Sequence, residues 1–202
     1  MAYPTVSAPY GLVPINLIGG QVYAGQVRHI PITSASGTDI FFGDVVALNT
    51  SGTLTKVAGT STAKVVGVFL GVTYTSPVTK QKLFTQFYDA PITASDIEAY
   101  VQDDPDQLYK VAVVSSGTTI SGVTRAAVGD NTALVQNPGS TTTGNSGVAV
   151  SATTSTDGTL PIRVIDVVPE TANLAGSYTE VIVKFNFGTH QYNVADGSTV
   201  SA

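Results

Sequence analysis

Apolar residues recur at every second position over several short stretches of the chain, which is the periodicity of a β-strand with one buried face. The clearest case is segment 179–187, in which Val181, Val183, Phe185 and Phe187 alternate with Glu180, Lys184 and Asn186. In segment 64–74 the apolar set is Val66, Val68, Leu70, Val72 and Tyr74, with Gly67 and Gly71 on the opposite face. Glycine inside a strand indicates close approach of another backbone, so we expect this strand near the core centre.

Further strands are predicted over 81–88, 107–115 and 161–168, and a hairpin over 44–49 and 53–57, whose turn is Thr50-Ser51-Gly52. Helical signals are poor, and the single candidate is a short helix over 96–100, capped by Thr93 or Ser95. The pattern therefore predicts an all-β fold, a barrel or sandwich core with little helix.

Two regions differ from core sequence. Residues 1–20 contain three prolines, which prevent continuous pairing in a central strand, but they are too apolar to remain free in water. This combination is typical of an extended arm that lies on another surface. Residues 137–159 are rich in Thr, Ser and Gly and predict a loop, interrupted by a possible short strand at 148–150. We therefore divide the chain into an extended arm (1–20), a β-rich body (21–192) and a tail (193–202). The body is either one unit or a core plus a smaller lobe. The tail is either flexible or docked on a partner.

Composition narrows the class of protein. Charged residues make up 11% of the chain, less than half of the roughly 25% of an ordinary soluble domain. A neutral surface rich in hydroxyl groups is typical of extracellular, fibrous or virion proteins. The net charge of −5, with dispersed Lys and Arg, argues against nucleic acid as a partner. No window resembles a membrane helix or a secretory signal, so we expect synthesis in a cytoplasm without export.

Catalytic and metal-binding patterns are weak. The chain has no Cys and only two His, His29 and His190, neither within a nucleophile or metal motif. The chain contains enough Ser, His and Asp residues for a Ser-His-Asp triad, but no motif identifies a nucleophile. We therefore predict no enzymatic activity, no catalytic residue and no cofactor. Asp103, Asp104 and Asp106 form the densest acidic segment, which is either a hard-cation site or, as we favour, a solvated turn with an Asx cap.

Several segments, in order along most of the chain, resemble the decoration or cement proteins of tailed-bacteriophage capsids. These segments are Tyr10-Gly11-Leu12-Val13-Pro14-Ile15-Asn16 with Gly19-Gly20, Ile40-Phe41-Phe42-Gly43-Asp44-Val45-Val46, Gly67-Val68-Phe69-Leu70-Gly71, Asp103-Asp104-Pro105-Asp106, Val128-Gly129-Asp130-Asn131-Thr132-Ala133-Leu134-Val135 and Phe187-Gly188-Thr189-His190-Gln191. Each is glycine-bounded strand sequence, so the specificity lies in their succession.

The resemblance implies a virion location on the capsid surface, with the major capsid protein and further copies of the chain as partners, in a homotrimer or another symmetric cluster. It also implies that a terminal arm contacts the shell, and we expect Tyr3, Tyr10, Leu12 and Ile15 to make this contact. The chain departs from the family in being longer than the smallest lambda-type decoration proteins, which puts a single compact domain in doubt.

Two other classes share the Thr/Gly-rich β composition. One is another phage structural component, such as a tail protein or the base of a head fibre, which differs in its location on the particle. The other is a non-enzymatic carbohydrate-binding β-sandwich, which normally exposes aromatic platforms, usually with Trp, and this chain contains none.

Overall fold

The computed structural model describes residues 6–173 and 175–192, and the predicted all-β class is confirmed. Thirteen strands are present: β1 Val13–Leu17, β2 Arg28–Pro31, β3 Val45–Leu48, β4 Leu54–Lys56, β5 Gly67–Thr75, β6 Lys82–Thr85, β7 Glu98–Gln102, β8 Gln107–Ser116, β9 Thr119–Ile120, β10 Asn131–Val135, β11 Ala149–Ser155, β12 Ile162–Val167 and β13 Glu180–Phe185. Within the described ranges, the helical elements are two 3₁₀ turns, Arg125–Ala127 and Pro169–Thr171. The helix predicted over 96–100 is wrong, because Ala99 and Val101 are buried on alternate positions of β7.

Five strands close into a small barrel in the order β8-β11-β10-β12-β13, since β13 returns to pair with β8. β8 makes this closure possible by using both edges along its length: Val111 pairs with Val181 of β13, and Val113 pairs in parallel with Val150 of β11. The inward side chains of these strands form the first core, which includes Tyr109, Val111, Val113, Leu134, Val150, Ile162, Val164, Val181, Val183 and Phe185. Closure removes open edges from these strands.

A second lobe is inserted between β1 and β8. Its sheet runs β2-β7-β5-β3-β4, and a parallel bridge between Ile32 and Leu54 joins the region after β2 to β4. Its interior is a separate hydrophobic cluster of Ile30, Ile32, Ile40, Val46, Leu54, Val66, Phe69, Val72, Tyr88, Ile97, Ala99 and Val101. The body therefore has two cores, so of the two organisations left open for residues 21–192 the structure has a core plus a second lobe.

β5 contributes side chains to both cores. The apolar side chains predicted to share one face of this strand therefore lie on two faces. Val68 and Leu70 contact the first core, whereas Phe69 and Val72 lie in the second. The pairing register of β5 with β7 shifts between Phe69 and Gly71, and this irregularity reverses which face the later residues present. The predicted close approach at Gly67 is present, because a Cβ there would lie 2.1 Å from the Gln102 carbonyl oxygen.

The described part of the N-terminal arm belongs to the body, which corrects its prediction as a separate segment. β1 pairs with β8 from Val13 opposite Lys110 to Leu17 opposite Gln107, with a shift after Pro14. β1 lies at the end of its sheet, a position that tolerates a proline without an N–H group. Leu12 is 0% exposed and lies in the first core.

The loop predicted within 137–159 is present over residues 138–147, and the short strand predicted at 148–150 is longer than expected. Residues 149–155 form β11, which is a strand of the barrel wall between β8 and β10. The Thr and Ser residues of β11 follow Val150, in the part of the strand whose side chains are less buried.

The predicted hairpin of β3 and β4 is confirmed. Leu48 lies opposite Leu54, and the Asn49 side chain accepts hydrogen bonds from the backbone of the turn.

A buried carboxylate joins the two lobes. Asp44 is fully buried and accepts hydrogen bonds from the Phe41 N–H at 2.9 Å and the Ser146 hydroxyl at 2.6 Å, and the Lys56 Nζ lies 2.8 Å away. Backbone bonds surround it: Leu12 N–H donates to Gly43 O, and Ser146 N–H donates to Phe42 O. We call the region of these contacts the Asp44 junction.

Replacing Asp44 by Asn should lower the free energy of unfolding by about 3 kcal/mol, because two donors and an ammonium group lose their charged acceptor in a buried site. The matched control is Asp166→Asn, since Asp166 pairs with Arg125 at 3.1 Å but both side chains are exposed. That control should cost less than about 1 kcal/mol. Urea unfolding measures both, and equal losses would contradict the central role of Asp44.

Candidate functional site

The residues predicted to contact a capsid occupy different environments. Tyr3 lies outside the described residues. Leu12 is buried against the protein's own core, so its prediction as a contact residue is wrong. Tyr10 and Ile15 are half-buried, Tyr10 just before the Asp44 junction and Ile15 within β1. Among the described residues before Leu12, Ser7 and Ala8 are exposed, whereas Pro9 and Gly11 are buried.

Tyr10 is fixed to the barrel by a polar contact. Its hydroxyl donates to Glu180 Oε1, and the Lys110 Nζ lies 3.7 Å from the same oxygen and 5.8 Å from the centroid of the Tyr10 ring. Burial, followed by the hydrogen bond to Glu180 and its charge, raises the pKa of Tyr10 well above its ordinary value. The hydroxyl therefore stays protonated and remains a donor, so Tyr10 anchors the segment that precedes it.

A groove of about 340 Å³ lies beside this anchor. One wall is the N-terminal segment from Ala8 to Tyr10, and the other is the loop 138–147 together with Thr118. Ser140, Thr143 and Asn145 supply neutral hydroxyl and amide groups to its lining. Each of the three already accepts a hydrogen bond within the chain, from the Thr143 N–H, the Asn145 N–H and the Gln86 side-chain amide respectively, and Ala8, Pro9 and Pro138 add apolar area to the lining. We call it the N-terminal groove.

The acidic segment forms a turn whose carboxylates have partners. Asp104 Oδ1 accepts the Asp106 N–H at 2.8 Å, which is the Asx geometry we favoured. Asp103 lies 3.3 Å from an Arg28 nitrogen, and Asp106 lies 2.7 Å from the Lys184 Nζ. Among the described residues, no three His, Asp or Glu side chains group as metal ligands. The arrangement stabilises the connection between β7 and β8.

The two histidines lie in separate environments and form no dyad with each other. His190 is buried, its Nδ1 accepts the Tyr192 N–H at 3.3 Å, and its Nε2 lies 3.2 Å from the Asp103 carbonyl oxygen. This pattern requires the proton on Nε2 and gives a neutral ring. His29 is exposed on β2, where its Nδ1 lies 3.7 Å from Glu98 Oε2. Both arrangements are structural.

An aromatic row crosses the outer face of the second lobe, which the sequence analysis did not anticipate. The Tyr100 ring lies 4.4 Å from His29 and 5.4 Å from Phe84, centroid to centroid, with interplanar angles of 70° in both pairs. These contacts pack the three rings against one another, and the Phe84 ring also lies over Gly71.

A scan against protein-family models, a search of curated proteins and a search of solved structures each found no match. In the described part of the chain, no helix has the length and apolar character needed to cross a membrane.

Acid should destabilise the protein through His190. Burial lowers the pKa of His190 below its ordinary 6.5, so between these two values the unfolded chain binds more protons than the folded one. The stabilisation is complete above pH 6.5 and is lost as the pH falls toward the folded pKa. We expect the urea midpoint to fall between pH 7.5 and 5.5, and to fall less in His190→Gln. His29→Gln, at an exposed position, should keep the full decrease, and an unchanged profile in His190→Gln would contradict the assignment.

Tyr10→Phe should lower the free energy of unfolding by about 2 kcal/mol, because Glu180 is buried and loses a hydrogen bond to its charge. The control is Tyr192→Phe, whose hydroxyl accepts a bond from exposed Arg28 and should matter less. Thermal and urea unfolding of both variants measure the difference. A loss no larger than that of the control would mean that Tyr10 does not anchor the segment.

Proposed function

We propose that the chain is a structural virion protein that binds the outer surface of a tailed-phage capsid and stabilises it as a decoration or cement protein. Three observations support this function: the resemblance carried by the ordered segments from Tyr10 to Gln191, the all-β body with two cores, and a surface with little charge. Its partners are then the major capsid protein and other copies of the chain in a symmetric cluster.

The observation that carries the proposal furthest is how the N-terminal segment enters the body. Gly11 N–H donates to Val148 O, and Leu12 N–H donates to Gly43 O, so the chain is held at this point by the Asp44 junction. A Cβ at Gly11 would lie 2.7 Å from Ser146 Cβ, so the segment passes where only glycine fits. Among the described residues before Gly11, Ala8, Pro9 and Tyr10 thus lie against the body as one wall of the N-terminal groove.

This attachment changes which residues form the capsid contact. Leu12 is excluded by its burial, and Tyr10 is bound to Glu180. We therefore assign the contact to residues 1–8 and to the rim of the N-terminal groove, with Tyr3 as its aromatic residue. Tyrosine suits this role because it combines apolar area with a polar tip.

Stabilisation of the shell follows from mass action. A protein that binds the assembled shell and not its dissociated subunits shifts the equilibrium toward the shell by an amount that grows with its concentration. Many copies on one particle add their contributions, and clusters bind more tightly than single copies. The attachment at Tyr10, Gly11 and Leu12 fixes the point from which the docking residues leave the body, which lowers the conformational entropy lost on docking.

Electron cryo-microscopy of particles that carry the protein tests the function directly. Regular density outside the shell, with residues 1–8 against the capsid subunits, is the result expected of a decoration protein. Density confined to the tail or to the base of a head fibre would replace this proposal by the other phage structural role. Absence of particle association would remove both.

Deleting residues 1–8 should abolish or lower capsid binding at least about tenfold, equivalent to about 1.4 kcal/mol, while the unfolding midpoint stays the same. Deletion of residues 1–20 is a poorer test, because it also removes Leu12 and β1 from the fold. Co-sedimentation of purified protein with expanded shells measures binding, and deletion of residues 193–202 is a control of similar size. Unchanged binding after removal of 1–8 would exclude them as the contact.

A further inference from the structure

β6 is an edge strand with an unused row of backbone groups. It pairs with β5 alone, in the register Thr75 opposite Lys82 to Val72 opposite Thr85. Ser76 N–H donates to Gln81 O, so by the alternation of an antiparallel ladder the groups of residues 81, 83 and 85 face β5. The N–H and C=O groups of Lys82 and Phe84 then face away from the sheet. Within the described residues, no hydrogen bond reaches these four groups.

The side chains on this edge are apolar and exposed. Phe84 is 64% exposed and Leu83 is 36% exposed, on opposite faces of the strand. The Phe84 ring covers Gly71, where a Cβ would lie 2.6 Å from the ring. Natural edge strands are usually protected by several charges, a proline or a covering segment. Here Lys82 is the one charged residue of β6, so the edge is open to another strand.

From this edge we infer that two copies of the chain pair through β6 in an antiparallel, two-fold symmetric arrangement centred on Leu83. In this register Lys82 of each copy lies opposite Phe84 of the other, and their outward N–H and C=O groups exchange hydrogen bonds. Leu83 faces its own counterpart across the axis. The two sheets of the second lobes become one continuous sheet.

The chemistry of β6 favours a second copy as the occupant of this edge. A cationic Lys82 beside the ring of Phe84 is a favourable contact, and the pair occurs twice by symmetry. No two like charges face each other. If one β6 strand is shifted by two residues relative to the other in one direction, Lys82 lies opposite Lys82 of the second copy, and the two charges repel. Shifting the other way requires Gln86 within the strand, but Gln86 is turned toward Asn145, whose Oδ1 it contacts at 2.7 Å.

The pairing is small, since it involves one short strand from each copy. Interfaces of this size associate weakly in free solution. Two copies held side by side on a surface experience a much higher effective concentration, and there the same contact becomes populated. The inference does not depend on the capsid, because the strand edge is present in the isolated chain.

A single cysteine placed at the symmetry axis tests the pairing. The chain contains no Cys, so Leu83→Cys provides one thiol per copy. Residues that face each other at the non-hydrogen-bonded position of an antiparallel pair have Cα atoms about 4.5 Å apart, within the range that a disulfide spans. Two thiols should then be oxidised by oxidised glutathione to a covalent dimer, with release of two reduced glutathiones. Val78→Cys, at an 86% exposed turn position outside the paired strand, is the control.

We expect Leu83→Cys to give dimer on non-reducing gels at least ten times faster than Val78→Cys at the same protein concentration. Equal rates would overturn the pairing. A second test uses charge: Leu83→Glu and Leu83→Lys should each abolish concentration-dependent dimerisation in sedimentation velocity, and a 1:1 mixture should restore it as the heterodimer. Failure of the mixture to restore association would also overturn the register. Neither assay includes particles, so its outcome is independent of capsid binding.

Discussion

The carboxylate of Asp44 lies where the two lobes meet, and it binds two groups of the second lobe and one group, the Ser146 hydroxyl, of the first. A buried charge is tolerated only when its environment supplies donors, and here a backbone N–H, a hydroxyl and an ammonium group do so. Each donor comes from a different segment: the turn before β3, the loop before β11, and β4. The N-terminal segment crosses beside them through Gly11 and Leu12. Loss of this one acceptor would therefore loosen the turn before β3, the contact with β4 and the long-range connection to the loop before β11 together.

The insertion of the second lobe explains why such a junction is needed. Residues 28–102 leave the first sheet after β1 and return to it at β8, so the lobe is connected at both ends to neighbouring strands. Val45, Val57, Ala63, Val65 and Val68 from the inserted region complete the first core. The first core is thus built partly from the insertion and is complete only when the second lobe is docked, whereas the buried residues of the second core all come from the insertion itself.

The sequence predicted the elements whose burial is regular and missed those decided by distant contacts. β13, β8 and the β3–β4 hairpin could be recognised because alternation and turn residues act locally. β11 was concealed by Thr and Ser on its outer half, and β7 was mistaken for a helix because its short apolar pattern fits both periods. The burial of Leu12 depends on contacts with residues far along the chain. The same limit applies to the aromatic row, whose members His29, Phe84 and Tyr100 come together only through strand order.

The two proposed contact surfaces are neighbours, and this relation affects how they would act together. Gln86, directly after β6, bonds to Asn145, which lines the N-terminal groove, and Gly144 packs against the same side chain. A two-fold axis at Leu83 would therefore place the grooves of both copies close to the shared edge, each with its N-terminal segment. Two docking segments presented by one rigid pair bind a repeating surface more tightly than either alone, because the second contact forms at high effective concentration. If the spacing of binding sites on the surface matches the spacing of the two docking segments in the pair, weak self-pairing and weak docking of each segment together give stable attachment.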